Sequence, residues 1–456
     1  MGKITLAQAA AWCGGQVEEQ YADVTFLGAC GDHRWANPGE LYVTLKPDPH
    51  MEESVRVAME RGAAAVLSNV YWPGLPCIVV PDPKSALGDI ARQERKRIGM
   101  KVVGVTGSLG KTTVAEMISR ILEGSCRVAS TLPNQFEDIG VPMAILAMPE
   151  DTEVAVLEMG MNHFREIAYL TSVALPDMAV ITNIGGATNE QMQSREAILR
   201  AKMEILEGMR EESTVILGGD DDLLWSHRKI SQLNTVTYGR ENRDCDVWAE
   251  NVYIEDGVSA FRVRSSELSF PVELSLAEPH FISDALAAVC VAVCMGVEPK
   301  LIQERLSKFR NTVDKAETVQ VGEFTLIRDC YNAGPQSMEE ALVALGSVPG
   351  RRVAVLGDML ELGVCTRAEH YRIGRIAAEN VQLLLTIGVS GSRIINGALT
   401  GGMAPAKAMA YEEPEKLLSA LERLTKPGDT ILFKGCRRMH MEKLADSFME
   451  ILKEKK

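Results

Sequence analysis

The chain is 456 residues long, 46% hydrophobic and 24% charged, which excludes a disordered, fibrous or low-complexity protein and allows two to four domains at ~100–200 residues each. Its 48 basic and 62 acidic residues give a formal charge of −14. That charge excludes a broad electrostatic footprint for nucleic acid or anionic lipid and leaves room for a local cationic pocket.

In chain order, the first block (1–98) carries short alternating elements. A helix is predicted over Leu6 to Cys13, a strand over Leu41 to Leu45, a helix over Met51 to Arg61, then strands at Ala64 to Leu67 and Cys77 to Val80. A helix from Lys84 to Ile98, ending in a basic run, leads to the first expected boundary. The second block (99–312) repeats a strand-then-helix rhythm, with strands at Val102 to Thr106, Val154 to Glu158, Met178 to Asn183 and Val215 to Leu217. This rhythm predicts an α/β fold with a mostly parallel sheet covered on both faces. The third block (313–456) has strands at Val353 to Leu356, Leu383 to Ile387 and Thr430 to Phe433, as in a smaller Rossmann-like domain.

The longest apolar run, Ala285 to Val297, falls short of the ~18–20 residues that cross a bilayer, so no membrane span is expected. The opening MGKITLAQAAAW lacks a secretion signal, and Leu6 stands where a myristoylation signal wants Ser or Thr. A cytoplasmic protein is expected. The ten cysteines are scattered without a CxxC or Cys/His cluster and read as reduced thiols.

The strongest motif is KVVGVTGSLGKTTVAEMISRIL, an apolar strand running into Gly107-Ser108-Leu109-Gly110-Lys111-Thr112-Thr113 and then a helix. Glycines let backbone N–H groups converge on phosphate, and the helix N-terminus adds positive potential. Lys111 can reach the outer phosphates, and the Thr112 hydroxyl can ligate magnesium. A site for a nucleoside triphosphate and Mg2+ is expected. Val105 occupies the position of the usual first glycine, so the match is to a shorter GxxGKTT variant. Open parallel sheets bind ligands beyond the C-terminal ends of their strands, which brings Glu158 in LEMG, Asn183 in ITNIGG and Lys202 in SREAILRAKMEIL into consideration. Singly each has a bland explanation, as a surface carboxylate, a turn residue and a solvated helix lysine.

In order along the chain, GSLGKTT, LEMGMNHFREIAYLTSVALPDMAVITNIG, REAILRAKMEIL, DCYNAGP, VAVLGDMLELG and KGCRRMHMEK resemble segments of the Mur ligases, over nearly the whole length. The last two blocks point to the branch that adds a dipeptide. The resemblance implies three domains, with the N-terminal one binding a UDP-muramyl peptide and ATP held between the other two. It also implies a reaction in which the tripeptide carboxylate is phosphorylated and the amine of D-alanyl-D-alanine displaces phosphate, in peptidoglycan precursor synthesis. No nucleic acid partner and a monomer are expected.

By the same resemblance, Gly107, Ser108, Gly110, Lys111, Thr112 and Thr113 hold the ATP phosphates, while Thr112, Glu158 and Lys202 serve the metal. Lys202 matches a lysine that the family carbamylates. Asn183, Asp284, Lys315, Asp329 and Asn332 match positions near the nucleotide. Catalysis is assigned to Lys111, Glu158 and Lys202.

Several positions depart from the family pattern. Thr188 replaces a metal-binding His, Asp284 an Asn near the adenine, Lys315 an Arg, Gly334 an Asn and Leu109 an Asn. Phe136 and Glu137 replace amide side chains near the muramyl substrate, and Asp32-His33-Arg34 stands for an Asp-Ser-Arg facing the uridine nucleotide. None of His163, His370 and His440 is assigned catalysis, because attack on an acyl phosphate by an amine needs chiefly positioning and charge neutralisation. These departures keep two alternatives open, a paralogue joining another carboxylate and amine, and a catalytically weak nucleotide-binding regulator.

Overall fold

The structure, a computed structural model, describes residues 3–45, 50–131, 138–185, 192, 194–255, 257–276, 278–310, 317–330, 333–360, 362, 365–436, 439 and 441–454. Contacts divide the described residues into two compact units, the first holding 3–185 and 194–310 and the second 317–454 together with Met192. Among the described residues the strands form four sheets.

The first unit opens on the antiparallel pair β1 (Ile4–Thr5) and β2 (Thr25–Phe26). Thr5 and Gln8 form a capping box, and Gly14 ends the turn in the left-handed region, so the helix Leu6–Cys13 is fixed at both ends by local sequence. A parallel sheet follows in the order β3 (Ala29–Cys30), β4 (Leu41–Val43), β5 (Ala65–Ser68) and β6 (Cys77–Val79). The helix Pro83–Ile98 is capped by Asp82 and closed by Gly99, with Arg95, Lys96 and Arg97 in its last turn, where cations complement the helix dipole. Arg95 does more than that. It is buried, and its guanidinium donates to the carbonyls of Ala174 and Leu175 and to Asp177 Oδ2, at 3.0, 3.0 and 2.7 Å. Asp177 Oδ2 also accepts from Val102 N–H at 2.9 Å, so one ion pair joins the helix to the next sheet.

That sheet contains β7 (Lys101–Thr106), β8 (Val128–Ser130), β9 (Val154–Glu158), β10 (Met178–Ile181), β11 (Thr214–Gly218), β12 (Asn234–Gly239), β13 (Val247–Glu255), β14 (Val258–Arg264) and β15 (Ser269–Leu274). Its order is β15-β14-β13-β12-β11-β10-β7-β9-β8, parallel from β8 through β13. β13 to β15 add an antiparallel meander that the sequence reading did not anticipate. The apolar run from Ala285 belongs to the helix Pro279–Cys294, which packs in the same core as the helix Lys111–Leu122. A helix apolar on all sides is stable where all sides are covered. No helix among the described residues is long and apolar enough to cross a membrane.

The second unit is built on β16 (Glu317–Val321), β17 (Phe324–Asp329), β18 (Arg352–Gly357), β19 (Leu383–Ile387), β20 (Ala408–Tyr411) and β21 (Thr430–Lys434), ordered β16-β17-β21-β18-β19-β20. All neighbours are parallel except β16 with β17, and separate apolar clusters cover its two faces.

His370 lies buried here, its Nε2 accepting from Met359 N–H at 3.0 Å and its Nδ1 2.7 Å from the Thr366 carbonyl, so both nitrogens are engaged in holding backbone. Burial holds its pKa below the ordinary 6.5. As pH falls, the unfolded chain takes up this proton before the folded chain does. Stability is therefore full above about pH 6.5 and declines from there towards the folded value, by at most ~1.4 kcal/mol per pH unit. Denaturant midpoints of the parent should fall between pH 7.5 and 5.5 more steeply than those of His370→Gln. Equal slopes in the two proteins would assign the acid sensitivity elsewhere.

Candidate active site

β7 is buried along nearly its whole length and delivers the chain to a tight loop at its C-terminal end. Gly107 has φ +148°, and a Cβ there would lie 1.8 Å from Thr182 Oγ1. Gly110 has φ +81° and starts the helix Lys111–Leu122. Both positions require glycine for conformation and for space.

The end of β10 fixes this loop. The strand was expected to run to Asn183 but stops at Ile181, because the next residues turn to bond the loop. Thr182 N–H donates to the Thr106 carbonyl at 3.0 Å and Thr182 Oγ1 to the Leu109 carbonyl at 2.6 Å. The Asn183 carbonyl accepts from Ser108 N–H at 3.1 Å. Its side-chain amide brackets one residue, Oδ1 accepting from Leu109 N–H and Nδ2 donating to the Leu109 carbonyl, both at 3.0 Å. Gly185 N–H donates to Ser108 Oγ at 2.8 Å. Asn183, expected near the nucleotide, thus holds the loop itself.

Thr112 Oγ1 donates to Glu158 Oε2 at 2.9 Å, which brings together two of the three expected metal ligands. Glu158 is buried, and its N–H donates to Thr131 Oγ1 at 3.1 Å. Two hard oxygen donors side by side suit magnesium, which takes few protein ligands and keeps its remaining positions for phosphate and water. No group of three His, Cys, Asp or Glu side chains that could form a protein-only cage occurs among the described residues.

Lys202 lies near the end of the helix Arg195–Met203 and is only 4% exposed. No carboxylate among the described residues pairs with it. Burial first, and then the nearby positive charge of Lys111, hold its pKa well below the ordinary lysine value. Both causes favour its uncharged, nucleophilic form over the ammonium. Two positions on from it, buried Glu204 accepts from the N–H groups of Arg165 and Ala168 at 2.8 to 3.2 Å, tying this helix to the start of the helix Glu166–Ala174.

Asp284 is buried in the helix Pro279–Cys294, and a Cβ on Gly110 would meet its Oδ1 at 2.3 Å. Its carboxylate therefore lies against the phosphate end of the loop. A negative charge there would repel bound phosphates, by on the order of 1–4 kcal/mol for unit charges several Å apart at an effective dielectric constant near 20. Asp284→Asn should lower the KM for ATP several-fold, and steady-state kinetics showing a raised or unaltered KM would remove the carboxylate from the phosphate side.

Of the remaining expected residues, Asp329 Oδ2 accepts from buried Lys434 Nζ at 2.6 Å in the second unit. Asp32 and Arg34 form a bidentate pair in the first block, with Nη2 to Oδ2 at 2.6 Å, and that bonding lowers the Asp32 pKa. His163 Nδ1 sits 3.0 Å from Glu166 Oε1, and its backbone N–H donates to Glu166 Oε2 at 3.0 Å, so the Glu166 carboxylate holds this turn. Lys315, Asn332, Thr188, Phe136, Glu137 and His440 lie outside the described residues.

Sequence reasoning missed Thr182, Arg195 and Asp221. Thr182 was signalled by its place directly before Asn183. Asp221 follows β11 as Asn183 follows β10, at the edge where parallel sheets gather ligands. Arg195 carried no signal, since its partners are distant in sequence.

The Mur ligase middle domain matches residues 105–292, and the Mur ligase glutamate ligase domain matches 316–437. The UDP-N-acetylmuramoyl-tripeptide–D-alanyl-D-alanine ligase of Bacillus subtilis is 34% identical over 94% of this chain and 95% of its own length. The enzyme of the same name from Escherichia coli is 32% identical over 99% of both. Among solved structures, MurF from Acinetobacter baumannii superposes with a TM-score of 0.82 at 28% identity, covering 99% of each chain. MurF ligase from Thermotoga maritima, solved in complex with ADP, shares the fold with a TM-score of 0.72 at 24% identity, over 94% of this chain and 99% of that one. With near-complete coverage in sequence and structure, and the phosphate loop in place, the chain belongs to the Mur ligase family.

Proposed function

We propose that the protein is an ATP-dependent carboxylate–amine ligase of peptidoglycan precursor synthesis, joining D-alanyl-D-alanine to UDP-N-acetylmuramoyl-tripeptide. The observation that carries this is the composition of one site: Lys111 heads the phosphate loop, Thr112 meets Glu158 beside it, and Lys202 is buried with no counter-ion among the described residues. The relatives that align along the chain carry that activity in their names.

In the reaction, a tripeptide carboxylate oxygen attacks the γ-phosphorus of ATP, the bond to the β,γ-bridging oxygen breaks, and ADP leaves. The dipeptide amine then attacks the acyl carbon of the acyl phosphate. The carbon–oxygen bond to phosphate breaks, and the amine releases a proton to solvent. The loop N–H groups and Lys111 orient the triphosphate and offset its charge as it builds on the transferring group. Thr112 Oγ1 and Glu158 would hold Mg2+, whose chemistry is neutralisation of the β- and γ-phosphate oxygens. Lys202, as a neutral amine, adds carbon dioxide at its nitrogen and releases one proton, leaving a carbamate anion that would be a third oxygen donor to the metal. Asp284, Lys315, Asp329 and Asn332 are assigned to the nucleotide, and Asp32, His33 and Arg34 to the uridine nucleotide. Residues 1–98, 99–312 and 313–456 serve as three functional domains.

Mass spectrometry of UDP-N-acetylmuramoyl-tripeptide, D-alanyl-D-alanine and ATP with the protein should show the ligated pentapeptide, with phosphate released only when both co-substrates are present. Phosphate release with a different carboxylate and amine pair would make the protein a paralogue of other specificity. ATP binding with no release under any pair would make it a regulator.

A further inference from the structure

The segment that holds the phosphate loop is itself held from outside. The peptide of Ile184, between Asn183 and Gly185, is gripped at both of its polar groups. Its N–H donates to Asp221 Oδ2 at 2.9 Å, and its carbonyl accepts from Arg195 Nε at 3.2 Å. The two gripping side chains join each other, Arg195 Nη2 to Asp221 Oδ2 at 3.1 Å. Asp221 Oδ1 meanwhile accepts from the N–H groups of Leu223 and Leu224, which fixes the carboxylate to the start of the helix Asp222–Ser226. The Asp221 side chain is 9% exposed and that of Arg195 38%, so the grip is anchored on its acidic side.

Arg195 also opens the helix that carries Lys202. The two residues are seven positions apart, which at 3.6 residues per turn places them on one face of the helix, at its two ends. One closed set of bonds therefore runs from Ser108 and Leu109 through Asn183 and Gly185 to the Ile184 peptide, and from there through Arg195 to the helix of Lys202.

We propose that Arg195 and Asp221 are positioning residues that set the register between the phosphate loop and the Lys202 amine. This rests on the ligase reading above, in which the loop holds the triphosphate and Lys202 supplies a metal ligand. Their bonds run to backbone, to each other and to Asp222, and no substrate contact is assigned to either. Their work is to hold two groups on different elements at the separation that one nucleotide-bound metal requires, where a displacement of about 1 Å costs on the order of a hundredfold in rate. Arginine is needed because a planar fork serves a carbonyl and a carboxylate at once, whereas an ammonium is a point charge.

Four variants separate this from a structural or purely electrostatic role. Arg195→Ala removes the grip, Arg195→Lys keeps the charge but not the fork, and Asp221→Asn keeps the Oδ1 cap while turning the other oxygen into an amide. Asp222→Asn breaks only the outer ion pair, 2.6 Å from Arg195 Nη2 and 72% exposed. The readouts are the Kd of the non-hydrolysable β,γ-imido analogue of ATP with magnesium, the magnesium concentration for half-maximal ligation, the KM of the muramyl substrate, and the unfolding midpoint.

The first three variants should each raise the analogue Kd and the magnesium requirement about tenfold. The muramyl KM should stay within twofold and the midpoint within a few degrees, and Asp222→Asn should match the parent. Full rescue by Arg195→Lys, an analogue Kd and magnesium requirement within twofold of the parent in Arg195→Ala and Asp221→Asn, or all constants moving together with the midpoint would each overturn the proposal. If the parent failed to ligate these substrates, the functional reading would fall, while the analogue Kd would still decide whether the grip organises the loop.

Discussion

Lys111→Ala is expected to abolish ligation, lowering kcat/KM for ATP by about a thousandfold while leaving the fold intact. Removing one preorganised charge from a site where phosphate oxygens gain charge costs on the order of a hundred to a thousandfold, and the loop has no second lysine at its helix start. The fold should survive because Lys111 is half-buried at the first turn of its helix, outside the apolar core that this helix packs into. The change has a second consequence. Lys111 is one of the two causes holding down the Lys202 pKa, so its loss raises that pKa, though burial remains the larger cause. Calorimetry with the imido analogue and steady-state ligation would check the first effect. A folded variant with ATP-dependent turnover near the parent level would show that the loop is not the triphosphate site.

Lys202→Ala is expected to lose about a thousandfold in ligation rate and to regain part of it with a small carboxylate such as formate, which can stand in for the carbamate proposed on Lys202. The uncharged amine adds carbon dioxide and the ammonium does not, so burial that lowers the pKa promotes the modification. The sign for pH follows. Lowering pH protonates the amine and drives off carbon dioxide, so activity should fall towards acid and recover with added bicarbonate. Carbon-13 NMR of protein given labelled bicarbonate should show one carbamate resonance that Lys202→Ala lacks. Lys202→Met checks the fold: replacing a buried lysine that pairs with no carboxylate among the described residues by an apolar side chain of similar length should leave stability equal or higher. Full activity of Lys202→Ala without any added carboxylate would remove the lysine from the metal site.

The phosphate loop was legible because its signals are local: an apolar strand, glycines at Gly107 and Gly110, then Lys-Thr-Thr opening an amphipathic helix. The same holds for the helix Leu6–Cys13, bounded by a capping box and a left-handed glycine, and for β9, which ends at Glu158 as its apolar run does. The meander β13 to β15 went unread although Ser269–Leu274 alternates exposed and buried positions, because attention to a parallel rhythm favoured continuous apolar runs over alternating ones.

Other properties depend on what lies next to a residue in space. Lys202 sits in a helix whose sequence suits a solvated lysine, and the packing of that helix in the first unit is what buries it. Asn183 reads as a turn residue until the loop after β7 arrives within reach of its amide. Asp284 is one polar position in an apolar helix until Gly110 is pressed against it. Arg195 and Asp221 are separated by the rest of the helix Arg195–Met203 and by β11, and only the parallel pairing of β10 with β11 brings both to the Ile184 peptide. Helix caps, turns and strand periods are set by neighbours a few residues away, so the sequence alone determined the elements and the phosphate loop. Burial, pKa and bonding between strand ends are set by chain segments tens of residues apart, so only the tertiary structure decided which side chains form the site.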